Sequence, residues 1–168
     1  MAWKFLYNNS GVTTEREAIT SSAGAGDSGK IPGLDGSGRL DSTFMPVGIG
    51  AETKLIAASE DLSAGELVNI YDDTGAKVRL ADASNGRVAH GFVLASVTNG
   101  NNATVYLEGT VTGLTSLTPG ARMYLSGSSA GAATATAPSS SGYYLQPVGY
   151  AISTTEMTFE PQEPIVLA

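Results

Sequence analysis

The sequence predicts an all-β protein: a small antiparallel β-barrel or sandwich with an internal pseudo-repeat, preceded by an extended N-terminal arm. Three observations predict it. From Lys54 onward, short apolar runs separated by turn residues recur at the spacing of strands in sandwiches and barrels. The second half of that region repeats the feature order of the first. The opening residues are instead irregular and rich in Gly, Ser and Asp, and the change of character falls near Ala51. The expected division is an arm and linker over residues 1–50 and a β-domain over residues 51–168.

In the arm, Trp3-Lys4-Phe5-Leu6-Tyr7 alternates large apolar residues with others, the pattern of a strand able to pair on a neighbour. Asn8-Asn9-Ser10-Gly11 ends it. Thr13 or Thr14 is placed to cap one helical turn through Glu15-Arg16-Glu17-Ala18. SSAGAGDSG, residues 21–29, has almost nothing to bury and reads as a flexible linker. Beyond it, Ile31, Leu34, Leu40, Phe44 and Met45 stand between prolines and glycines, as in an extended segment docked by its apolar points. Fully stretched, fifty residues at ~3.3 Å each reach ~165 Å, a span suited to contacts between subunits.

In the β-domain, Leu67-Val68-Asn69-Ile70-Tyr71 and Lys77-Val78-Arg79-Leu80 flank the turn Asp72-Asp73-Thr74-Gly75 and predict a hairpin. Further strands are expected over Val88–Val97, Ala103–Leu107 and Thr110–Thr112. The pseudo-repeats span about 61–108 and 116–160. Leu62-Ser63-Ala64-Gly65 aligns with Leu117-Thr118-Pro119-Gly120. Ala83-Ser84-Asn85-Gly86 aligns with Ser139-Ser140-Ser141-Gly142, and His90 through Ala95 with Val148 through Ile152. Each copy closes on a strand, Ala103–Leu107 and Met157–Phe159. Two such units, neither able to cover its apolar face alone, are expected to pack into one small barrel with a pseudo-twofold relation.

Composition narrows the function. A net charge of −7 without a Lys/Arg cluster opposes phosphate backbones, so no nucleic-acid partner is expected. No stretch approaches the ~18 consecutive apolar residues of a membrane span, and no membrane partner or signal segment is read. The absence of cysteine excludes disulfides and thiolate chemistry.

The chemical near-motifs fall short. Gly24 to Lys30 matches seven positions of a phosphate-binding loop, but Ile31 replaces the Mg²⁺-binding hydroxyl and Pro32-Gly33 oppose the helix. Gly24, Gly26 and Gly29 also satisfy a dinucleotide fingerprint that lacks its flanking strand and helix. Gly26-Asp27-Ser28-Gly29 resembles a serine-protease nucleophile region, yet the only histidine, His90, follows it and lies in an expected strand. Asp35, Ser37, Asp41, Asp72 and Asp73 lack the spacing of a calcium loop. One histidine and no cysteine leave no zinc or iron set. No catalytic residue, cofactor or metal is expected. The tyrosines Tyr106, Tyr124, Tyr143, Tyr144 and Tyr150 read as half-buried sheet residues, with a glycan contact as the lesser alternative.

Residues 29–46, GKIPGLDGSGRLDSTFMP, resemble a GKIP-LD-G-LD-LP linker that recurs in phage virion proteins, fibres and head-decoration proteins among them. The segment from Leu62 to Leu107, with AGELVNIYDDTGAKVRLADAS, AHGFVLASV and TVYLEGTV, is similar to phage capsid decoration or cement proteins with small β-barrels. The resemblance implies a non-enzymatic structural protein of the virion, on the capsid exterior. It implies the major capsid protein as partner, self-association as a homotrimer, and an arm clamping capsid subunits while the barrel faces outward. The contact residues expected on the arm are Trp3, Phe5, Tyr7, Ile31, Leu34, Leu40 and Phe44. The alternative is a head-fibre or tail-fibre module whose barrel binds a host glycan or protein through Tyr143, Tyr144 and the Asn99–Asn102 loop.

Overall fold

A computed structural model describes residues 3–45 and 51–168 and divides the chain into two compact units, Met1–Gly50 and Ala51–Ala168. Pro46, the last residue of the linker motif, lies outside the described residues.

In place of one outstretched arm, the first unit folds back on itself. β1 (Lys4–Asn9) pairs antiparallel with β2 (Val12–Glu17), with Phe5 opposite Arg16 and Tyr7 opposite Thr14. Ser10 and Gly11, with φ of 52° and 93°, form the tight connection. That left-handed pair matches the right-handed twist of a hairpin. The residues expected to end a strand therefore reverse it, and the expected helical turn over residues 15–18 is β2. The physical reason is that Val12, Thr13 and Thr14 are β-branched, and a paired strand satisfies backbone groups that one isolated turn leaves open. Beyond β2, Ile19 bridges Pro32 in parallel, with Ile19 N–H donating to Ile31 O and Gly33 N–H to Ile19 O. Between them, the expected linker holds a 3₁₀ turn, Ala25–Asp27. Asp27 braces it, accepting from Ala23 N–H and from the Lys30 ammonium, which hold its carboxyl below the usual range, the lysine chiefly. A second 3₁₀ turn, Ser42–Phe44, is capped by Asp41, whose carboxyl is lowered by the Thr43 hydroxyl and N–H.

The second unit opens with a closed five-stranded barrel of β3 (Thr53–Ala58), β4 (Leu67–Asp72), β5 (Ala76–Leu80), β6 (Gly91–Phe92) and β7 (Asn102–Tyr106). β4 and β5 form the expected hairpin, with Ile70 opposite Val78. All neighbours are antiparallel except β3 and β5, which meet in parallel through Ala57–Lys77 and Ala58–Val78. The expected strand over Val88–Val97 keeps only Gly91–Phe92 in the ladder. Val93 N–H then donates to Glu66 O, and the chain bends to bridge Val97 to Leu62. Strand alternation fills the barrel with Ile56, Ala58, Leu62, Val68, Val78, Val93, Ala103 and Val105.

The second half repeats this plan with β8 (Gly109–Val111), β9 (Arg122–Leu125), β10 (Ala133–Thr134), β12 (Pro147–Tyr150) and β13 (Met157–Phe159), while β11 (Tyr144–Leu145) pairs with β14 (Ile165–Val166). β9 lies between β10 and β12 as β4 lies between β5 and β6, and β13 pairs with β8 as β7 pairs with β3. Even the entry turns correspond. Gly65 and Gly120, at φ 86° and 84°, donate their N–H groups to Val93 O and Ala151 O, each at 2.8 Å. Gly91 and Gly149 occupy the same place against the closing strand. A Cβ on Gly91 would lie 2.7 Å from Tyr106 O, and one on Gly149 would collide with Thr158 O. In place of one barrel shared by both copies, the barrel closes within the first repeat, and among the described residues no ladder joins β8 to β10 in the second.

The two halves share one core. Leu67, Ala81, Ala83, Ala89 and Phe92 from the first pack with Val111, Met123, Leu125, Val148, Met157 and Phe159 from the second. The Phe92 ring meets Phe159 edge-on at 5.4 Å and stacks on Tyr106 at 5.2 Å. Gln146 is buried between the halves, its amide donating to Ala89 O and accepting from Ala89 N–H.

Candidate functional site

The first unit has β-structure without a core, for none of its described residues is buried. Part of its apolar side chains gather on an open cleft of about 320 Å³, lined by Trp3, Lys4, Phe5, Ala18, Ile31, Pro32, Gly33 and Leu34. Period-two alternation sends Trp3, Phe5 and Tyr7 to one face of β1. The Ile19–Pro32 bridge brings Ile31 and Leu34 alongside. Ala18 and Gly33 meet between them, where a Cβ on Gly33 would stand 3.3 Å from the Ala18 methyl.

Four of the seven contact residues expected from sequence, Trp3, Phe5, Ile31 and Leu34, therefore converge. Tyr7 lies one step further along β1, its ring under the Arg16 guanidinium at 4.2 Å. Leu40 and Phe44 do not line this cleft; Leu40 is exposed and Phe44 half-buried in its 3₁₀ turn. Sequence reasoning missed Ala18, Pro32 and Gly33, although a Pro-Gly pair beside Ile31 is a signal of close backbone approach. It also missed Leu6 and Val12, 76% and 64% exposed. Lys4 borders the cleft, and its ammonium is raised above the usual range by the Glu15 carboxylate 2.7 Å away.

The segment resembling a phosphate loop borders a separate cleft of about 730 Å³ with Arg16 and Lys30 on its rim. Neither cation is free for phosphate: Lys30 is tied to Asp27 at 2.6 Å and Arg16 lies over Tyr7. His90 is engaged in the β-domain frame. Its Nδ1 accepts from Ile70 N–H at 3.0 Å, and burial lowers its pKa below the ordinary 6.5. Asn69 beside it donates to Val88 O and accepts from Arg79 Nε, whose guanidinium lies over Tyr71 at 4.1 Å. Among the described residues no group of three or more metal-ligating side chains converges, and no helix is long and apolar enough to cross a membrane. Tyr144 rests on Gly86, and the Asn99–Asn102 loop is held by Ala58 and Asp61. No shared cleft among those described joins that loop to the tyrosines.

The chain matches no known protein family and no curated protein sequence. Among solved structures it is similar to the head fiber gp8.5 N base of bacteriophage phi29, with a TM-score of 0.42 and 14% identity over 66% of this chain and 95% of that one.

Proposed function

We propose that the chain is a non-enzymatic structural protein of a phage head, its first unit docking on the major capsid protein at the capsid exterior and its β-domain facing outward. The observation that carries this reading is the coreless first unit. A two-stranded hairpin is marginal by itself in water, and one that buries nothing gains its stability from the surface that covers it. Trp3, Phe5, Ile31 and Leu34 supply the apolar anchors, at roughly 25 cal/mol per Å² covered.

Charge supports the same division. Residues 1–50 carry five acidic and four basic side chains, whereas residues 51–168 carry eleven and five. The near-neutral unit docks without desolvating much charge, and the acidic one keeps the exterior soluble. The resemblance of residues 29–46 and 62–107 to virion decoration proteins names the partner class and supports a homotrimer.

Co-sedimentation with shells of the major capsid protein from the encoding phage tests it. The full chain is expected to bind and to raise the shell's melting temperature. Trp3→Asp combined with Leu34→Asp is expected to weaken binding at least about 30-fold, as loss of an interface hot spot does. Unchanged binding by that variant overturns the reading.

A further inference from the structure

We propose that the second repeat carries a cleft for one ring of a neutral saccharide, built around Tyr143. The cleft, about 190 Å³, is lined by the Tyr143 ring and by Ser128, Thr134, Thr136, Ser139 and Ser140. It is smaller than the ~300–1,000 Å³ of drug-sized sites and matches a single ring. It shares no residue with the apolar cleft of the first unit, so it is a function separate from capsid docking.

The cleft stands where the two repeats diverge. In the first repeat the chain runs from Leu80 to Gly86 through a turn closed on Asp82, whose carboxylate accepts from the Ser84 N–H and hydroxyl and from the Asn85 amide. In the second repeat the matching stretch, Thr134 to Gly142, is longer and has no acid. Tyr143 N–H donates to Ser140 O at 3.1 Å to close its turn, and Thr134 Oγ1 accepts from Thr136 N–H at 3.1 Å. The side-chain hydroxyls of Thr136, Ser139, Ser140 and Tyr143 are thus left without partners among the described residues. Thr136, Ser139 and Ser140 are exposed, and the half-buried Tyr143 holds no buried unsatisfied side-chain atom, so these hydroxyls open to solvent, available to a ligand rich in hydroxyls.

Tyr143 is fixed as a platform before any ligand arrives. Its carbonyl accepts from Leu167 N–H at 2.9 Å, and its ring lies flush on Gly127, where a Cβ would come within 2.6 Å of Cδ2 and Cε2. Ser126 Oγ accepts from the N–H groups of Ser128 and Ser129 and shapes the adjoining wall. An aromatic face presents a negative π-cloud to the weakly positive C–H face of a pyranose, and rim hydroxyls bond its equatorial groups. No Lys, Arg, Asp, Glu or His lines the cleft. With the acidic domain around it, this selects neutral over anionic sugars.

Titration of the ¹⁵N-labelled full chain with glucose, galactose, mannose, N-acetylglucosamine and the anionic N-acetylneuraminic acid tests the site by NMR. At least one neutral sugar is expected to shift amides confined to residues 126–128 and 134–143, and the anionic sugar none. Tyr143→Ala is expected to weaken that binding about tenfold, within the range of loss of a stacking platform. Thr136→Val, which keeps the ring and the turn, is expected to weaken it less, with unchanged amide dispersion confirming the fold. Absence of cleft-confined shifts with all four neutral sugars, equal binding of the anionic one, or full affinity in both variants overturns the proposal.

Discussion

Trp3 and Phe92 are large aromatic residues in opposite circumstances: Trp3 is 72% exposed on a hairpin with no core, and Phe92 is 1% exposed between two packed repeats. The β-domain packs most of its apolar residues into two cores, one inside the first repeat's barrel and one between the repeats, and leaves Leu55, Tyr150, Ile152, Ile165 and Val166 exposed. The first unit buries none of its described residues. The difference teaches where the stability of this chain resides and, under the proposed function, where its binding does, and mutation should separate the two.

Phe92→Ala removes a ring that touches both Tyr106 and Phe159 and is expected to cost ~3–5 kcal/mol of β-domain stability, measured by urea unfolding. Trp3→Ala in the same assay is expected to leave that transition in place. Equal destabilisation by the two would break the comparison. A smaller effect is expected of Gln146→Leu, which strips the Ala89 N–H and C=O of their buried partner at a cost of ~1–3 kcal/mol. An intact melting midpoint there would mean that the repeats hold together by apolar contact alone.

Smallest is the effect of acid on His90. Burial lowers its folded pKa below 6.5, so beneath that pH the unfolded chain binds more protons than the native one. The stability it contributes is complete above pH 6.5 and is lost as the pH falls through the lowered folded value. His90→Gln is expected to flatten that slope in β-domain melting measured from pH 7 downward, and the first unit's binding to shells is expected to be indifferent to it.

Much of the β-domain was legible because its strands obey period-two alternation and its turns carry glycine at repeated offsets. Leu67–Asp72 with Ala76–Leu80, Asn102–Tyr106 and Met157–Phe159 lie where the apolar runs put them. The repeat was legible from Gly65 and Gly120, which demand the same left-handed turn. The parallel contact of β3 with β5 was not, since it depends on strands far apart in sequence and leaves no local mark. The first unit misled for a related reason. Glu15, Arg16 and Glu17 favour a helix in isolation, and only pairing with β1, with Lys4 reaching Glu15, makes them a strand. In the site, alternation at Trp3, Phe5 and Tyr7 was visible, but the fold-back that sets Ile31 and Leu34 beside them rests on backbone bonds of Ile19 and Gly33 that no side chain announces.

The closure of the barrel also sets an order in time. β3 is the first barrel strand to leave the ribosome, yet its antiparallel partner is β7, with Thr53 opposite Tyr106. One edge can meet β5 once Ala76–Leu80 is made, but the other waits for β7 at the end of the first repeat. Such non-local pairing makes folding slow and leaves a bare strand edge in the interval. Thr53 and Lys54 at the start of β3, polar and charged, keep that waiting edge from joining the wrong neighbour.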